Sequence, residues 1–182
     1  MKNIYLLVGE SGSGKTTIQE ELSEQYRLKP VVSYTTRKPR YEGEDNHIFV
    51  SDEEYDTLKD IVAETVFRGK RYCATASQVA KCDLYTIDPE GIKSLKENYK
   101  GKKGLKVIYI SSPLHTRYIR MHNQGRPTDE ILQNFRTEMP IFSGMKEAAD
   151  LVVNNGDDSQ IQSIVDDIYR FIKETEKASK DE

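Results

Sequence analysis

The chain has 182 residues, 31% of them charged, and a formal net charge of -3. That length holds one well-cored domain with at most small inserted subdomains, and the charge balance supplies no general basic surface for nucleic acid. No apolar run approaches the about 20 residues that span a bilayer, so no membrane partner is expected.

From Met1-Lys2-Asn3 the sequence enters an apolar run, Ile4 to Val8, rich in strand formers. A cleavable leader is not expected, because its removal would take the next segment with it. That segment, Gly9-Glu10-Ser11-Gly12-Ser13-Gly14-Lys15-Thr16, meets every fixed position of G-x-x-x-x-G-K-[ST]. Beyond it, Ile18, Leu22 and Tyr26 stand four apart within Thr17 to Tyr26, the spacing of a helix. Strand, glycine loop and helix in this order make a phosphate cradle: glycines turn backbone N–H groups inward, and the helix adds a positive N-terminal dipole. Residues Gly9 to Thr17 are therefore expected to bind a nucleoside triphosphate. Lys15 should reach the β- and γ-phosphates and the Thr16 hydroxyl should coordinate Mg²⁺.

Val31-Val32 reads as a short strand leading into Ser33-Tyr34-Thr35-Thr36-Arg37-Lys38-Pro39-Arg40. This stretch packs cations and hydroxyls closely, and a turn at Pro39 would let Arg37 and Arg40 converge on one phosphate through bidentate forks. A solvated charge run is the competing reading at this point. Short alternating pieces such as His47-Ile48-Phe49-Val50 make residues 33–82 a small, mostly β insertion. Cys73 and Cys82 lack metal or C-x-x-C spacing and are expected to be free thiols in a reducing cytoplasm.

Leu84 to Ile87, Lys106 to Ile110 and Leu151 to Val153 join Ile4 to Val8 as buried parallel strands. Spaced this widely, they need helical crossovers, which predicts an α/β fold with ligands at the carboxyl ends of the strands. Asp88 ends the second of them, placed either to orient Mg²⁺ through water or to cap the following helix. Residues 121–136 are polar, with Gly125 and Pro127 inside a helical region, and read as a mobile lid. Arg117, Arg120, Arg126 and Arg136 lie in or beside it. Arg117 reads equally as a solvated helix residue. Asn154 follows the last strand, either to touch the adenine or ribose or to form an Asn-Asn-Gly turn. The final helix, capped by Asp157, Asp158 or Ser159, carries an apolar face from Ile161 to Ile172, and the charged tail Glu174 to Glu182 is expected to fray. The expected division is a core of 1–32, 83–120 and 137–182, the insertion 33–82 and the lid 121–136, together a phosphate-loop core with a parallel sheet flanked by helices.

Ser33 to Glu44 closely resembles the guanylate kinase pattern S-x-T-T-R-x-P-R-x-G-E, and the likeness continues through Phe49-Val50-Ser51, Gly69 to Tyr72, Ile87 to Gly91 and Val152 to Asn154. The resemblance implies transfer of the ATP γ-phosphoryl to GMP or dGMP by a monomer or homodimer, with Mg²⁺. It assigns Ser33, Arg37, Arg40 and Tyr72 to the acceptor's phosphate. It places His47 where the family has a further tyrosine; histidine can still donate to phosphate, more strongly as a cation. It implies that Lys15, Arg37, Arg120 and Arg136 stabilise transferred charge, with Arg126 substituting for a missing lid arginine. Asp88 would serve the metal, or hold the acceptor base and Arg37. Three departures touch the base. The family's guanine-reading glutamate falls on Ala63, leaving Glu64 as the candidate; its base-contacting hydroxyl falls on Ala74, leaving Thr75; and Cys73 replaces a glycine. Another small phosphorylated acceptor, or a non-catalytic interaction module, are the alternative readings.

Overall fold

The computed structural model describes residues 1–156 and 160–178. The proposed caps Asp157, Asp158 and Ser159 lie outside the described residues. Among the described residues, eight strands and seven helices follow one another: β1 (Asn3–Val8), α1 (Lys15–Tyr26), β2 (Ser33–Thr35), β3 (His47–Phe49), α2 (Asp52–Asp56), β4 (Ile61–Phe67), β5 (Lys70–Thr75), α3 (Ala76–Lys81), β6 (Leu84–Thr86), α4 (Pro89–Asn98), β7 (Gly104–Ser111), α5 (Leu114–Asn123), α6 (Thr128–Ile141), β8 (Leu151–Asn154) and α7 (Ile161–Ala178).

The four apolar runs form one parallel sheet in the order β6-β1-β7-β8. β1 is buried along its whole length, and the pleat sends alternate side chains to opposite faces. Ile4, Leu6 and Val8 join Ile92, Leu95, Val107 and Phe142 on one side. Tyr5 and Leu7 meet Ile18, Leu22, Ile164, Val165 and Ile168, from α1 and α7, on the other. The loops after β1, β6, β7 and β8 consequently open at one edge, the carboxyl ends of the strands.

A second sheet, ordered β3-β2-β5-β4, is built entirely from residues of the segment read as an insertion. β2 is parallel to β3 and antiparallel to β5. Two local expectations, a strand at Val31-Val32 and a fraying tail from Glu174, are corrected. Val31-Val32 is not a strand: Pro30 makes an isolated bridge to Leu84, and strand geometry begins at Ser33. Residues 121–136 are the end of α5, a turn at Gly125 and the first part of α6, which continues to Ile141 with Pro140 near its end. Of the tail expected to fray, Glu174 to Ala178 instead continues α7, where Glu176 accepts from the backbone N–H groups of Lys2 and Asn3 and ties α7 to β1, and residues 179–182 lie outside the described residues. Cys73 and Cys82 are buried and unpaired. Among the described residues no helix is long and apolar enough to cross a membrane.

Candidate active site

The glycine loop joins β1 to α1 as its sequence demands. Gly12 and Gly14 take φ values of 79° and 94°, in the left-handed region that favours glycine. Both are also pressed by neighbours: a Cβ on Gly12 would lie 2.9 Å from the Arg117 carbonyl oxygen, and one on Gly14 2.3 Å from Asn155 Nδ2. Lys15 leads α1 and donates to the carbonyls of Gly9 and Glu10. Burial lowers its pKa to about 8, partly opposed by Glu138 and Glu10. The Thr16 and Thr17 side chains are exposed beside it.

Behind the loop stand Arg117 and Arg120, both expected beside the lid, together with Glu138 and Asn155, which the local sequence pattern did not bring forward. Arg117 is buried, not solvated: its Nε donates to Ser11 O at 2.9 Å, its Nη2 meets Glu138 Oε2 at 2.7 Å, and its guanidinium lies over Phe135. Glu138 Oε1 in turn accepts from the Ser11 N–H at 3.0 Å. Glu10 turns its carboxylate outward to Tyr109 and Arg117. Arg120 approaches Gly12 O and Asn155 Oδ1, and Asn155 Nδ2 donates to Ser13 O at 2.8 Å. One signal for Glu138 was available: it shares a face of α6 with buried Ile131 and Asn134, where an unpaired carboxylate would be costly. Nothing local pointed to Asn155, one residue beyond the predicted Asn154, which is exposed at the end of β8.

Across the cleft, β2, β4 and β5 present alternate residues to the loop. Thr35 and Thr65 both pair with Tyr72, so these three share a face, with Ser33 on the same side of β2. His47 Nδ1 bonds to Ser33 Oγ at 2.9 Å, and its ring meets Tyr72 edge-on. Burial and Arg37 lower the His47 pKa to about 4, which favours the neutral ring near pH 7. Arg37 forms a two-pronged pair with Glu44, at 2.7 and 3.1 Å, and Glu44 also accepts from the Arg40 N–H. Burial alone would raise the Glu44 carboxyl; the fork and the amide hold it below its usual range. Burial, Arg37 and Arg126 depress the Arg40 guanidinium, which puts Arg126 within electrostatic reach of the Arg40 loop.

Asp88 sits at the end of β6 and serves as the N-cap of α4. Oδ1 accepts from Gly91 N at 2.7 Å and Oδ2 from the Thr65 hydroxyl at 2.9 Å. Burial raises its pKa against both bonds. A single cavity of about 200 Å³ is lined by Gly9, Ser11 and Lys15 on one side and by Ser33, His47, Tyr72 and Asp88 on the other. Glu64 also lines this cavity, but the polar atoms of the two expected base readers, Glu64 and Thr75, are engaged elsewhere. Glu64 pairs across the ladder with Cys73, on the face opposite to Thr65 and Tyr72, and its carboxylate takes the Tyr55 hydroxyl and lies 4.0 Å from Arg71. A strand's period of two forces this separation. Thr75 spends its hydroxyl capping α3 by accepting from Gln78 N. Arg136 is exposed on α6, two residues from both Asn134 and Glu138, hence on the side away from the loop.

The residues suit a hard cation carried in by a triphosphate. Thr16 offers one oxygen, both Asp88 oxygens are engaged, and no group of three His, Cys, Asp or Glu side chains gathers among the described residues.

A phosphate loop at the carboxyl edge of a parallel sheet, facing an arginine-bearing pocket on a second small sheet, defines a phosphate-loop phosphotransferase. The chain belongs to the guanylate kinase family: the family model matches residues 1–175. It is 24% identical to a guanylate kinase of Prochlorococcus marinus over 185 residues, covering 95% of this chain and 98% of that one. It is 25% identical to one from Bartonella quintana, covering 91% and 80%. A guanylate kinase structure from Anaplasma phagocytophilum superimposes with a TM-score of 0.67 at 22% identity, covering 95% of this chain and 85% of that chain.

Proposed function

We propose that this protein transfers the γ-phosphoryl group of ATP to GMP or dGMP, by direct in-line displacement without a covalent enzyme intermediate. The observation that carries the reading is the shared cavity, in which Lys15 and the loop face Ser33, His47, Tyr72 and Asp88. Donor phosphates fit the loop on one side and an acceptor phosphate fits the opposite side, near Arg37 and Arg40. The acceptor phosphate is already an anion, so no general base is needed. Catalysis rests on positioning and on cations that meet the charge developing on the transferred group.

Lys15, Arg37 and Arg120 are the proposed charge-stabilising groups. Arg126, half-buried near the tip of the proposed lid 121–136, would reach the acceptor side on closure, and Arg136 would require a larger movement of α6. Residues 33–82 are the proposed acceptor-binding unit. Mg²⁺, held by Thr16 and reached by Asp88 through water, would neutralise charge on the triphosphate oxygens. The proposed setting is the cytoplasm.

A second reading is a kinase of the same mechanism with another small phosphorylated acceptor. It is favoured by one observation: Ala63 and Ala74 are direct cross-strand partners, both almost fully buried, so neither offers a polar group to a base. ADP release recorded against a panel of nucleoside monophosphates tests both. GMP or dGMP turning over fastest supports the first; another acceptor leading supports the second. No turnover with any acceptor would favour a non-catalytic binding module.

A further inference from the structure

We propose that Asn155 is a positioning residue for phosphoryl transfer, acting through the Ser13 carbonyl and the Arg120 guanidinium together. The proposal rests on the phosphotransferase reading above for its kinetic consequences, while the donor-binding consequence stands on geometry alone.

Three consecutive loop carbonyls are gripped from outside the cradle. Ser11 O accepts from Arg117 Nε at 2.9 Å, Gly12 O is approached by Arg120 Nη1 at 3.4 Å, and Ser13 O accepts from Asn155 Nδ2 at 2.8 Å. In a trans peptide the carbonyl and the following N–H point in opposite directions. Drawing Ser13 O toward Asn155 therefore turns the Gly14 N–H the other way, into the loop. The φ of 94° at Gly14 belongs to the same arrangement, and Asn155 Nδ2 occupies the space that a Cβ there would need.

The same amide faces Arg120, whose Nη2 donates to Asn155 Oδ1 at 3.2 Å. One neighbour is a carbonyl that needs a donor and the other a guanidinium that needs an acceptor, so both dictate the same orientation of the amide. At this reach only asparagine supplies both atoms. Aspartate would set an acceptor against Ser13 O, and alanine would release both partners. Asn155 is itself held rigidly, 5% exposed and with its backbone N–H on Ser111 O at 2.7 Å, so the end of β7 fixes where the amide stands. A side chain on the loop after β8 thereby sets the aim of an arginine on α5 and of an amide on the phosphate loop.

The test is a double-mutant cycle on the full-length protein with Asn155→Ala, Arg120→Ala and the pair, measuring kcat, KM for each substrate and ATP affinity by calorimetry. Asn155→Ala should lower kcat roughly 10–100-fold, leave the acceptor KM within about twofold and weaken ATP binding at least about fivefold. In the Arg120→Ala background, the added loss in kcat should shrink to within about threefold, because the arginine through which Asn155 acts is gone. The weaker ATP binding should persist there. Effects on kcat that multiply in full, or an Asn155→Ala protein with wild-type kcat and ATP affinity, would overturn the proposal. If the wild-type protein turned over no nucleoside monophosphate, the phosphotransferase reading would fail, and unchanged ATP affinity in Asn155→Ala would still refute the loop assignment separately. Should Asn155→Ala not fold, Asn155→Asp, which keeps shape and the Arg120 bond, must still weaken ATP binding; wild-type affinity there would overturn the proposal equally.

Discussion

Arg117 and Glu138 meet at 2.7 Å behind the phosphate loop and hold the Ser11 peptide between them, the arginine on its carbonyl and the glutamate on its N–H. Both side chains are almost fully buried, so each is the other's answer to desolvation. The pair ties α5 and α6 to the loop that cradles phosphate. Any movement of α6 is therefore felt at Ser11.

Removing one member should be costly. Glu138→Ala leaves a buried guanidinium without its closest counter-charge, and a loss of about 3–5 kcal/mol is expected. For a chain of this size that is a fall in Tm of roughly 6–20 °C. Glu138→Gln, which still accepts from Ser11, should lose less. Thermal melts of the two variants decide the point, and a fall below about 2 °C in Glu138→Ala would show that the pair contributes little.

Lys15→Met should lower turnover by a factor of at least about 10²–10³ while leaving the protein folded. Because burial depresses the Lys15 pKa to about 8, the unfolded chain holds more protons than the native one between about pH 8 and the usual lysine value. The native state consequently gains stability from this group as pH rises through that window. Replacing the buried ammonium should not lower stability at pH 7. Activity in Lys15→Met comparable to wild type would remove the loop from the mechanism.

His47 gives an acid-side signature. Its pKa of about 4 lies below that of an unfolded histidine, so the unfolded chain binds more protons between about pH 4 and pH 6.5. Stability attributable to this ring is complete above pH 6.5 and falls as pH drops toward 4, by about 3 kcal/mol. His47→Gln, which can still bond to Ser33, should flatten that part of the pH–stability curve. Denaturant midpoints measured from pH 4 to 7 in both proteins test it; parallel curves would assign the acid sensitivity elsewhere.

The two carboxylates near the base end should separate kinetically. Asp88→Asn should raise the acceptor KM about tenfold or more, since a carboxylate oriented by Thr65 and Gly91 becomes an amide. Glu64→Ala should change it less than about threefold, because that carboxylate is committed to Tyr55 and Arg71 on the other face. Initial-rate measurements at saturating ATP compare them directly, and a larger effect at Glu64 would restore it as the base reader.

The parts of this protein that could be read in advance are those whose determinants are contiguous. Gly9 to Thr16 announce a loop because glycine spacing, lysine and threonine act within one turn of chain. The strands around Ile4, Leu84, Lys106 and Leu151 announce themselves by burial on both faces, which leaves an unbroken apolar run. Ser33, Arg37 and Arg40 also lie within one short motif, but their proposed role came from the family resemblance, because composition by itself reads equally as a solvated charge run.

Glu64, Thr75, Arg117, Glu138 and Asn155 were not legible in that way. Whether Glu64 faces the cleft depends on strand register against Cys73, which a one-residue shift would invert. Arg117 is a core cation only because α6 brings Glu138 to it, and Asn155 reaches Ser13 only because β7 and β8 pair in register at Ser111 and Asn154. Composition and local spacing were sufficient for the phosphate loop, the parallel sheet and the class of chemistry, since each is encoded over a few adjacent residues. Which side chains grip that loop, and which face of β4 turns toward the cleft, were decided by packing between distant segments. Hydrogen bonds and ion pairs there act over about 3 Å, a scale that only the assembled fold sets.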